Sequence, residues 1–265
     1  MPKTVLVLAP HPDDAEFFAG GTIARFVREG ARVVILIATD GRRGTFTLDA
    51  ETLARRRKQE ACRAAAVLGA DEPVFLGHAD LELDMVPAGV LRTEFIRAIR
   101  QHRPDAVIAE DPFSPYEVHP DHRAVAWAAS DALSFSMLPL VCPEHFDEGL
   151  DPHFVVEKYF YSEVAGESGK VIDITDTIDV KLAALAEHKT QMEFLVEDVR
   201  RQAELAGLGL DDLLGAAGAH PIEAVSWAVR TQAAEVGQKA GFACGEMFRY
   251  VRFHPMIENL VGMQS

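Results

Sequence analysis

Two short clusters carry the residue types that hydrolytic chemistry uses. The first, Leu8-Ala9-Pro10-His11-Pro12-Asp13-Asp14-Ala15-Glu16, sets one imidazole and two consecutive carboxylates directly behind an apolar run. The second, Tyr116-Glu117-Val118-His119-Pro120-Asp121-His122, follows another apolar run much farther along the chain. His11 and Asp14 can turn toward one ion across a turn, while Pro12 restricts the backbone and lets Asp13 project elsewhere. His119 and His122 share a face if a helix starts near Pro120. An ion held by His11, Asp14 and one of these two histidines has two nitrogens, one oxygen and an open position, the usual arrangement of a catalytic zinc. Such a metal lowers the pKa of water toward about 7 and polarises a carbonyl, and a spare carboxylate such as Asp13 can take the proton. The chemistry implied is that of a metal-dependent hydrolase.

Either cluster alone reads as readily as a helix cap or a surface feature, because Asp13 or Asp14 could cap the helix that follows. Two of them, each just past a buried strand, are what a site at the carboxyl edge of a parallel sheet requires. The elements agree. Residues 4–9, 32–38, 73–76 and 105–109 read as strands, and 18–29, 51–68 and 90–102 as helices. This alternation predicts an α/β fold: a Rossmann-like three-layer parallel sheet with helices on both faces and a C-terminal α+β elaboration. Beyond His122 a helix over 123–137 is expected, then an irregular stretch over 138–154 with three prolines. Strands over 155–161 and 170–174, helical segments after Thr177 and over 222–234, and a final strand over 247–253 complete the pattern. Residues 205–220, rich in Gly, Ala and Asp, read as a loop or lid. With no internal repeat and no clear linker, the expected organisation is one domain over 1–265, a sheet core over 1–137 followed by substrate-shaping and closing elements over 138–265. Gly20-Gly21 lies inside the first helix and no G-x-G-x-x-G follows the first strand, which argues against dinucleotide binding.

The chain has 265 residues, 48% of them hydrophobic, enough for a full core. Lys plus Arg number 26 against 41 for Asp plus Glu, a formal net charge of -15. That disfavours nucleic acid and anionic membrane as partners and leaves sugars, small amides and neutral ligands open. Cys62, Cys142 and Cys244 are widely spaced and one is necessarily odd, which points to a reducing compartment rather than a disulfide framework. The first apolar run breaks too early for a signal peptide, and no stretch has the length of a membrane span, so a cytoplasmic location is expected. No G-x-S-x-G elbow appears and no cysteine neighbours a motif histidine, so serine and cysteine catalysis are unsupported.

The chain resembles the PIG-L/LmbE-like family of zinc-dependent N-deacetylases. The matching stretches are A-P-H-P-D-D-A-E (Ala9 to Glu16), G-G-T-I (Gly20 to Ile23), T-D-G-R-R-G-T (Thr39 to Thr45), R-K-Q-E-A (Arg57 to Ala61), L-G-A (Leu68 to Ala70), R-P-D-A-V (Arg103 to Val107) and D-P-F-S-P-Y-E-V-H-P-D-H-R-A (Asp111 to Ala124). Y-E-V-H-P-D-H-R-A, V-I-D-I-T-D (Val171 to Asp176) and K-L-A-A-L-A-E-H-K-T-Q (Lys181 to Gln191) look closest to the diacetylchitobiose deacetylase branch. The resemblance implies removal of acetyl groups from N-acetylglucosamine-type sugars or short chitooligosaccharides, with conjugates to malate or inositol as the alternative. It also implies Zn2+ as cofactor and a homo-oligomer, with a hexamer as the form considered. A non-catalytic sugar- or metal-binding module is the rival of another class, disfavoured because pure binding needs no free carboxylate at Asp13.

Carried over residue by residue, the resemblance makes His11, Asp14 and His122 the zinc ligands and Asp13 the general base. It makes His119 the group that steadies the oxyanion and, with Asp13, a candidate proton donor to the leaving amine, Asp121 the residue that orients His119, and Arg57 a grip on sugar hydroxyls. Tyr116, beside His119, is a further candidate for contacting substrate. The stretch G-E-M-F-R-Y-V-R-F-H (Gly245 to His254) resembles the family's closing strand and adds His254 as a substrate-side candidate. Where the family commonly has Glu, this chain has Arg42, a departure at the expected substrate rim. Asp111 and Glu117 are candidate rim residues.

Overall fold

The first strand, β1 (Thr4–Ala9), forms where the sequence offers an unbroken apolar run, and all of it past Thr4 is buried. Its side chains alternate between two cores. Val5, Val7 and Ala9 join one cluster with Ala19, Ile23, Ala61 and Ala65, and Leu6 and Leu8 join another with Phe95, Ile99, Val125 and Ala129. A strand buried on both faces needs helices on both sides. Those helices are α1 (Asp14–Arg28) and α2 (Ala50–Leu68) on the first face, and α3 (Val90–His102) and α4 (Pro120–Phe135) on the second. The computed structural model describes residues 2–87, 89–162, 169–209, 221–253 and 255–262.

The remaining strands are β2 (Arg32–Thr39), β3 (Val74–His78), β4 (Ala106–Glu110), β5 (Glu157–Tyr161), β6 (Lys170–Asp173) and β7 (Gly245–Val251). They form one seven-stranded sheet in the order β3-β2-β1-β4-β5-β7-β6. The first five are parallel, but β7 runs antiparallel to both β5 and β6. The parallel core expected from sequence is present in these five strands, and β7 and β6 extend it as the antiparallel part of the C-terminal elaboration. Much of β6 and of the second half of β7 is only half-buried, which suits an antiparallel edge and not a doubly covered parallel strand. The half of the chain after residue 137 thus adds three of the seven strands.

Local signals set the helix ends. Asp49 caps α2 by accepting from the Thr52 N–H at 2.9 Å, and Gly69 closes it at a φ of 77°, which only glycine adopts freely. Gly20 and Gly21 let α1 approach its neighbours: a Cβ on Gly21 would meet Ile174 at 2.7 Å. This is a packing role, not a nucleotide turn. The second half supplies α5 (Ile178–Leu185), α6 (Lys189–Leu205), α7 (Pro221–Lys239) and α8 (Pro255–Gly262). Helix α8 follows β7, so the expected final strand is not the last element. Most of the expected lid, residues 210–220, lies outside the described residues, and Leu205 belongs to the last turn of α6. Among the described residues no helix is long and apolar enough to cross a membrane.

Candidate active site

In the order β3-β2-β1-β4-β5, the chain leaves β1 toward one edge and β4 toward the other. The crevice beyond the carboxyl ends of these two adjacent strands is where doubly wound sheets bind ligands. Both motif clusters open into it. His11 comes two residues after β1 ends at Ala9, and Glu110 ends β4 ahead of the loop that carries Glu117, His119 and His122.

Three donor atoms converge there. His11 Nδ1 and His122 Nε2 are 3.2 Å apart, and Asp14 Oδ2 lies 3.3 Å from the first and 3.5 Å from the second. Tetrahedral ligands at about 2.0–2.1 Å from a zinc stand about 3.3–3.4 Å from one another, so the triangle has the size that ion requires. Two imidazole nitrogens and one carboxylate oxygen are also the donor types of a catalytic zinc site. The residues fit the metal.

Carboxylates back both histidines. His11 Nε2 lies 3.2 Å from Asp121 Oδ2 and 3.3 Å from Asp80 Oδ1. His122 Nδ1 lies 3.5 Å from Glu110 Oε2 and 3.6 Å from Glu117 Oε2. Such partners fix which ring nitrogen faces the metal and raise its basicity. These acids favour the protonated form of each ring. His11 is raised well above its ordinary range against the cost of burial, by Asp121, Asp14 and Asp80; His122 is raised to about 9, by Asp14 and Glu110. Asp14 is held far below the usual carboxylate range by His122 and His11, again against burial. Burial pushes Glu110 up to about 7, and neither of its oxygens has a hydrogen-bond partner among the described residues.

Asp121 corrects an expectation. Its carboxylate serves His11 and also accepts from the Leu81 and Leu83 N–H groups at 2.7 and 3.0 Å, instead of orienting the His119 ring. Its link to His119 runs through the backbone: the Asp121 N–H donates to His119 Nδ1 at 3.2 Å, which makes His119 the cap of α4. With Nδ1 accepting, the proton of the neutral ring sits on Nε2. Burial and the nearby His11 and His122 lower the His119 pKa, so the ring stays neutral. It packs edge-on against His11 with centroids 4.6 Å apart.

Asp13 stands apart from the triangle. Its backbone has φ 143° and ψ −25°, outside the regions that L-residues favour, a conformation that costs about 1–3 kcal/mol. Strain of this kind aims adjacent carboxylates in different directions. The Asp13 carboxyl is raised to about 6, chiefly by burial, with Arg57 pulling it down and Asp14 pushing it up. Arg57 Nη2 donates to Asp13 Oδ1 at 2.6 Å and to Pro12 O at 2.9 Å, and Nη1 donates to Gly41 O at 3.2 Å. Behind them, His188 Nε2 lies 3.4 Å from Glu16 Oε2, both side chains buried.

Arg57 therefore does not sit on a solvated face with Arg55, Arg56 and Lys58. It is 3% exposed and its fork is directed at Asp13 and two loop carbonyls rather than at an open sugar site. Tyr116 is also displaced from its expected place: it is 90% exposed, with a φ of 64°, and is not among the residues lining the cleft. His254 lies outside the described residues. Arg42 pairs with Asp40 at 2.5 Å, and Asp111 pairs with Arg249 at 2.7 Å. Sequence reasoning missed Asp80 and Glu110 as backing groups, although each carried a signal. Asp80 follows β3 at the same sheet edge, and Glu110 is a charge ending an otherwise apolar strand.

The cleft over these groups has a volume of about 450 Å³, and Arg43, Gly44, Gln191, Phe194 and Leu195 complete its lining. This architecture and donor set have known counterparts. The family model described as PIG-L: GlcNAc-PI de-N-acetylase matches residues 6–133. A diacetylchitobiose deacetylase of Thermococcus kodakarensis is 38% identical over 191 residues, covering 71% of this chain and 70% of that protein. The chain belongs to the PIG-L/LmbE-like deacetylase family. A 1D-myo-inositol 2-acetamido-2-deoxy-alpha-D-glucopyranoside deacetylase of Mycobacteroides abscessus is 31% identical, covering 72% of this chain and 82% of that one. The structure of the N,N'-diacetylchitobiose deacetylase from Pyrococcus horikoshii, complexed with its inhibitor MPG, superposes with a TM-score of 0.76 at 30% identity, over 95% of this chain and 84% of that one. Family membership and the donor triangle together make the chain a metal-dependent N-deacetylase with a site suited to zinc.

Proposed function

We propose that this PIG-L/LmbE-like enzyme removes the N-acetyl group of N-acetylglucosamine and its short β-1,4 oligomers. The observation that carries the reading is the triangle of His11 Nδ1, Asp14 Oδ2 and His122 Nε2, with the Asp13 carboxylate held by Arg57 in the wall of the same cleft. His11, Asp14 and His122 would hold the zinc, which lowers the pKa of water toward about 7 and polarises the acetyl carbonyl. Asp13 accepts the proton of the attacking water as its oxygen bonds to the acetyl carbon. His119 donates its Nε2–H to the oxyanion that develops there. Asp13 then returns the proton to the amine nitrogen as the C–N bond breaks, and acetate and a free amino sugar leave. Arg57 positions Asp13 throughout.

The names of the Thermococcus and Pyrococcus relatives support the chitooligosaccharide choice, and the net charge of -15 disfavours large anionic substrates. For location and assembly we propose a cytoplasmic homo-oligomer. Three free cysteines support the first. Exposed Phe113, Tyr116 and Val118 support the second, because a surface run at 68, 90 and 84% exposure suits burial against another copy. The test of function is acetate release by zinc-loaded protein from N-acetylglucosamine, its β-1,4 dimer, and N-acetylglucosaminyl conjugates of inositol and malate, compared by kcat/KM. The sugar and its dimer are expected to lead. A clear preference for a malate or inositol conjugate overturns the substrate while leaving the hydrolytic site intact.

A further inference from the structure

Carboxylates crowd the two metal-facing histidines. Asp13, Asp14, Asp80, Glu110, Glu117 and Asp121 all have side chains no more than 9% exposed. Among the described residues, Arg57, on Asp13, is the one Lys or Arg side chain that pairs with any of these carboxylates. One zinc and one guanidinium leave the group short of positive charge, and burial makes such a shortfall costly.

The shortfall is concentrated behind His122, on the side of the ring away from the donor triangle. Glu110, at the end of β4, is 0% exposed, and neither of its oxygens has a hydrogen-bond partner among the described residues. Glu117 Oε2 has none either. His122 Nδ1, likewise without a partner, lies 3.5 Å from Glu110 Oε2 and 3.6 Å from Glu117 Oε2. With Nε2 turned to the zinc, the ring carries its proton on Nδ1, and one N–H cannot satisfy two carboxylates. Tyr161 stands in register beside Glu110 on β5, fully buried, its hydroxyl also without a partner. Carboxylate and phenol oxygens are the donors of a hard divalent cation, and calcium takes them at about 2.3–2.6 Å. One donor atom each from Glu110, Glu117 and His122 fall within 4.8 Å of one another, so both carboxylates can reach a single ion between them. Glu117 Oε1 accepts from the His119 N–H at 2.7 Å. An ion joining Glu110 to Glu117 therefore ties the loop that carries His119 to the end of β4.

We propose that Glu110 and Glu117 bind a second cation, a hard divalent ion of the Ca2+, Mg2+ or Mn2+ class, behind the His122 ring and opposite the zinc. The ion takes no part in hydrolysis. It offsets the buried carboxylates and fastens the His119 loop to the sheet. The inference goes beyond the deacetylase reading and rests on it only for zinc at the other nitrogen of His122.

Metal binding tests it without recourse to turnover. Zinc-loaded protein titrated in a calorimeter with Ca2+, Mg2+ and Mn2+, each alone, should show one site for at least one of them. Elemental analysis after desalting should find that ion beside the retained zinc. A hundredfold excess over Kd should raise Tm by about 5–10 °C. Glu110→Gln and Glu117→Gln should each weaken uptake of the second ion at least about tenfold. Zinc content is read in the same samples, and loss of the second ion with zinc retained in either variant supports the site. A wild-type protein that takes up no second ion overturns it, as does uptake that both variants leave untouched. Joint loss of zinc and second ion in both variants overturns it too, because one site would then account for both. A second ion bound and lost as described, with no acetate released from any sugar, supports the cation site and sinks the deacetylase reading instead.

Discussion

Arg57 Nη2 lies 2.6 Å from Asp13 Oδ1, with both side chains no more than 5% exposed. The pair joins α2 to the turn between β1 and α1. It gives the Asp13 carboxylate, in the wall of the same cleft as the donor triangle, a fixed orientation despite its strained backbone.

Loss of Arg57 should therefore appear in kcat more than in KM. Arg57→Ala leaves a buried carboxylate without its partner, and misplacing a reacting group by about 1 Å can cost about 10²-fold. Breaking such a pair also lowers stability by about 3–5 kcal/mol. Arg57→Lys keeps the charge but loses the fork, so it should recover stability better than rate. Steady-state kinetics on folded protein checks this. A rise in KM at constant kcat would return Arg57 to the role of a sugar grip. Gly41→Ala should act in the same direction, since Gly41 has a φ of 63° and a Cβ there would stand 2.6 Å from Arg57 Nη1.

The neighbouring carboxylates should separate cleanly. Asp14→Ala is expected to lose the metal, whereas Asp13→Asn keeps it and loses about 10²–10⁴-fold in kcat, the usual contribution of proton transfer. Asp13 acts ionised and its carboxyl titrates near 6, so kcat/KM in the wild type should fall as pH drops through about 6, or lower once a bound cation assists ionisation. Metal analysis of both variants together with the wild-type pH profile decides this. Equal metal loss in the two would reverse the assignment.

His119 and His122 should differ in the same manner. His122→Ala weakens zinc binding. His119→Ala should retain the ion and lose about 3 kcal/mol of transition-state stabilisation, read in kcat. Zinc titration of each variant is the check, and a comparable loss of affinity in His119→Ala would make it a fourth ligand.

Zinc loading should expel protons. His122, raised to about 9, and His11, also raised, are protonated at pH 7 without metal, and only neutral imidazoles bind it. About two protons should leave per zinc near neutrality, so affinity climbs with pH until both rings are neutral without metal. Calorimetry in buffers of different ionisation enthalpy measures the count. A value near zero would mean that the metal binds elsewhere.

Much of this site was legible in the sequence because its parts are local. His11, Asp13 and Asp14 are fixed by one turn after one apolar strand, and Pro120 and His119 announce the start of α4. The alternation of strands and helices gives the layered parallel core, whereas the strand order that puts β4 beside β1 comes from pairings the pattern leaves open. The role of Arg57 was hidden by its exposed basic neighbours, although Leu53, Arg57, Glu60, Ala61 and Ala64 fall on one buried stripe of α2. The reversal of β7 and the partners of Asp121 depend on pairings between distant segments, which periodicity does not encode.

The central claim is that one zinc held by His11, Asp14 and His122 drives amide hydrolysis with Asp13 as base. The most direct measurement is acetate release from N,N'-diacetylchitobiose by metal-stripped protein, by the same protein after one equivalent of zinc, and by zinc-loaded Asp13→Asn. The account predicts no turnover, full turnover, and a loss of at least about 10²-fold in the variant at unchanged zinc content. Undiminished acetate release by the stripped protein, or by the variant, would contradict it.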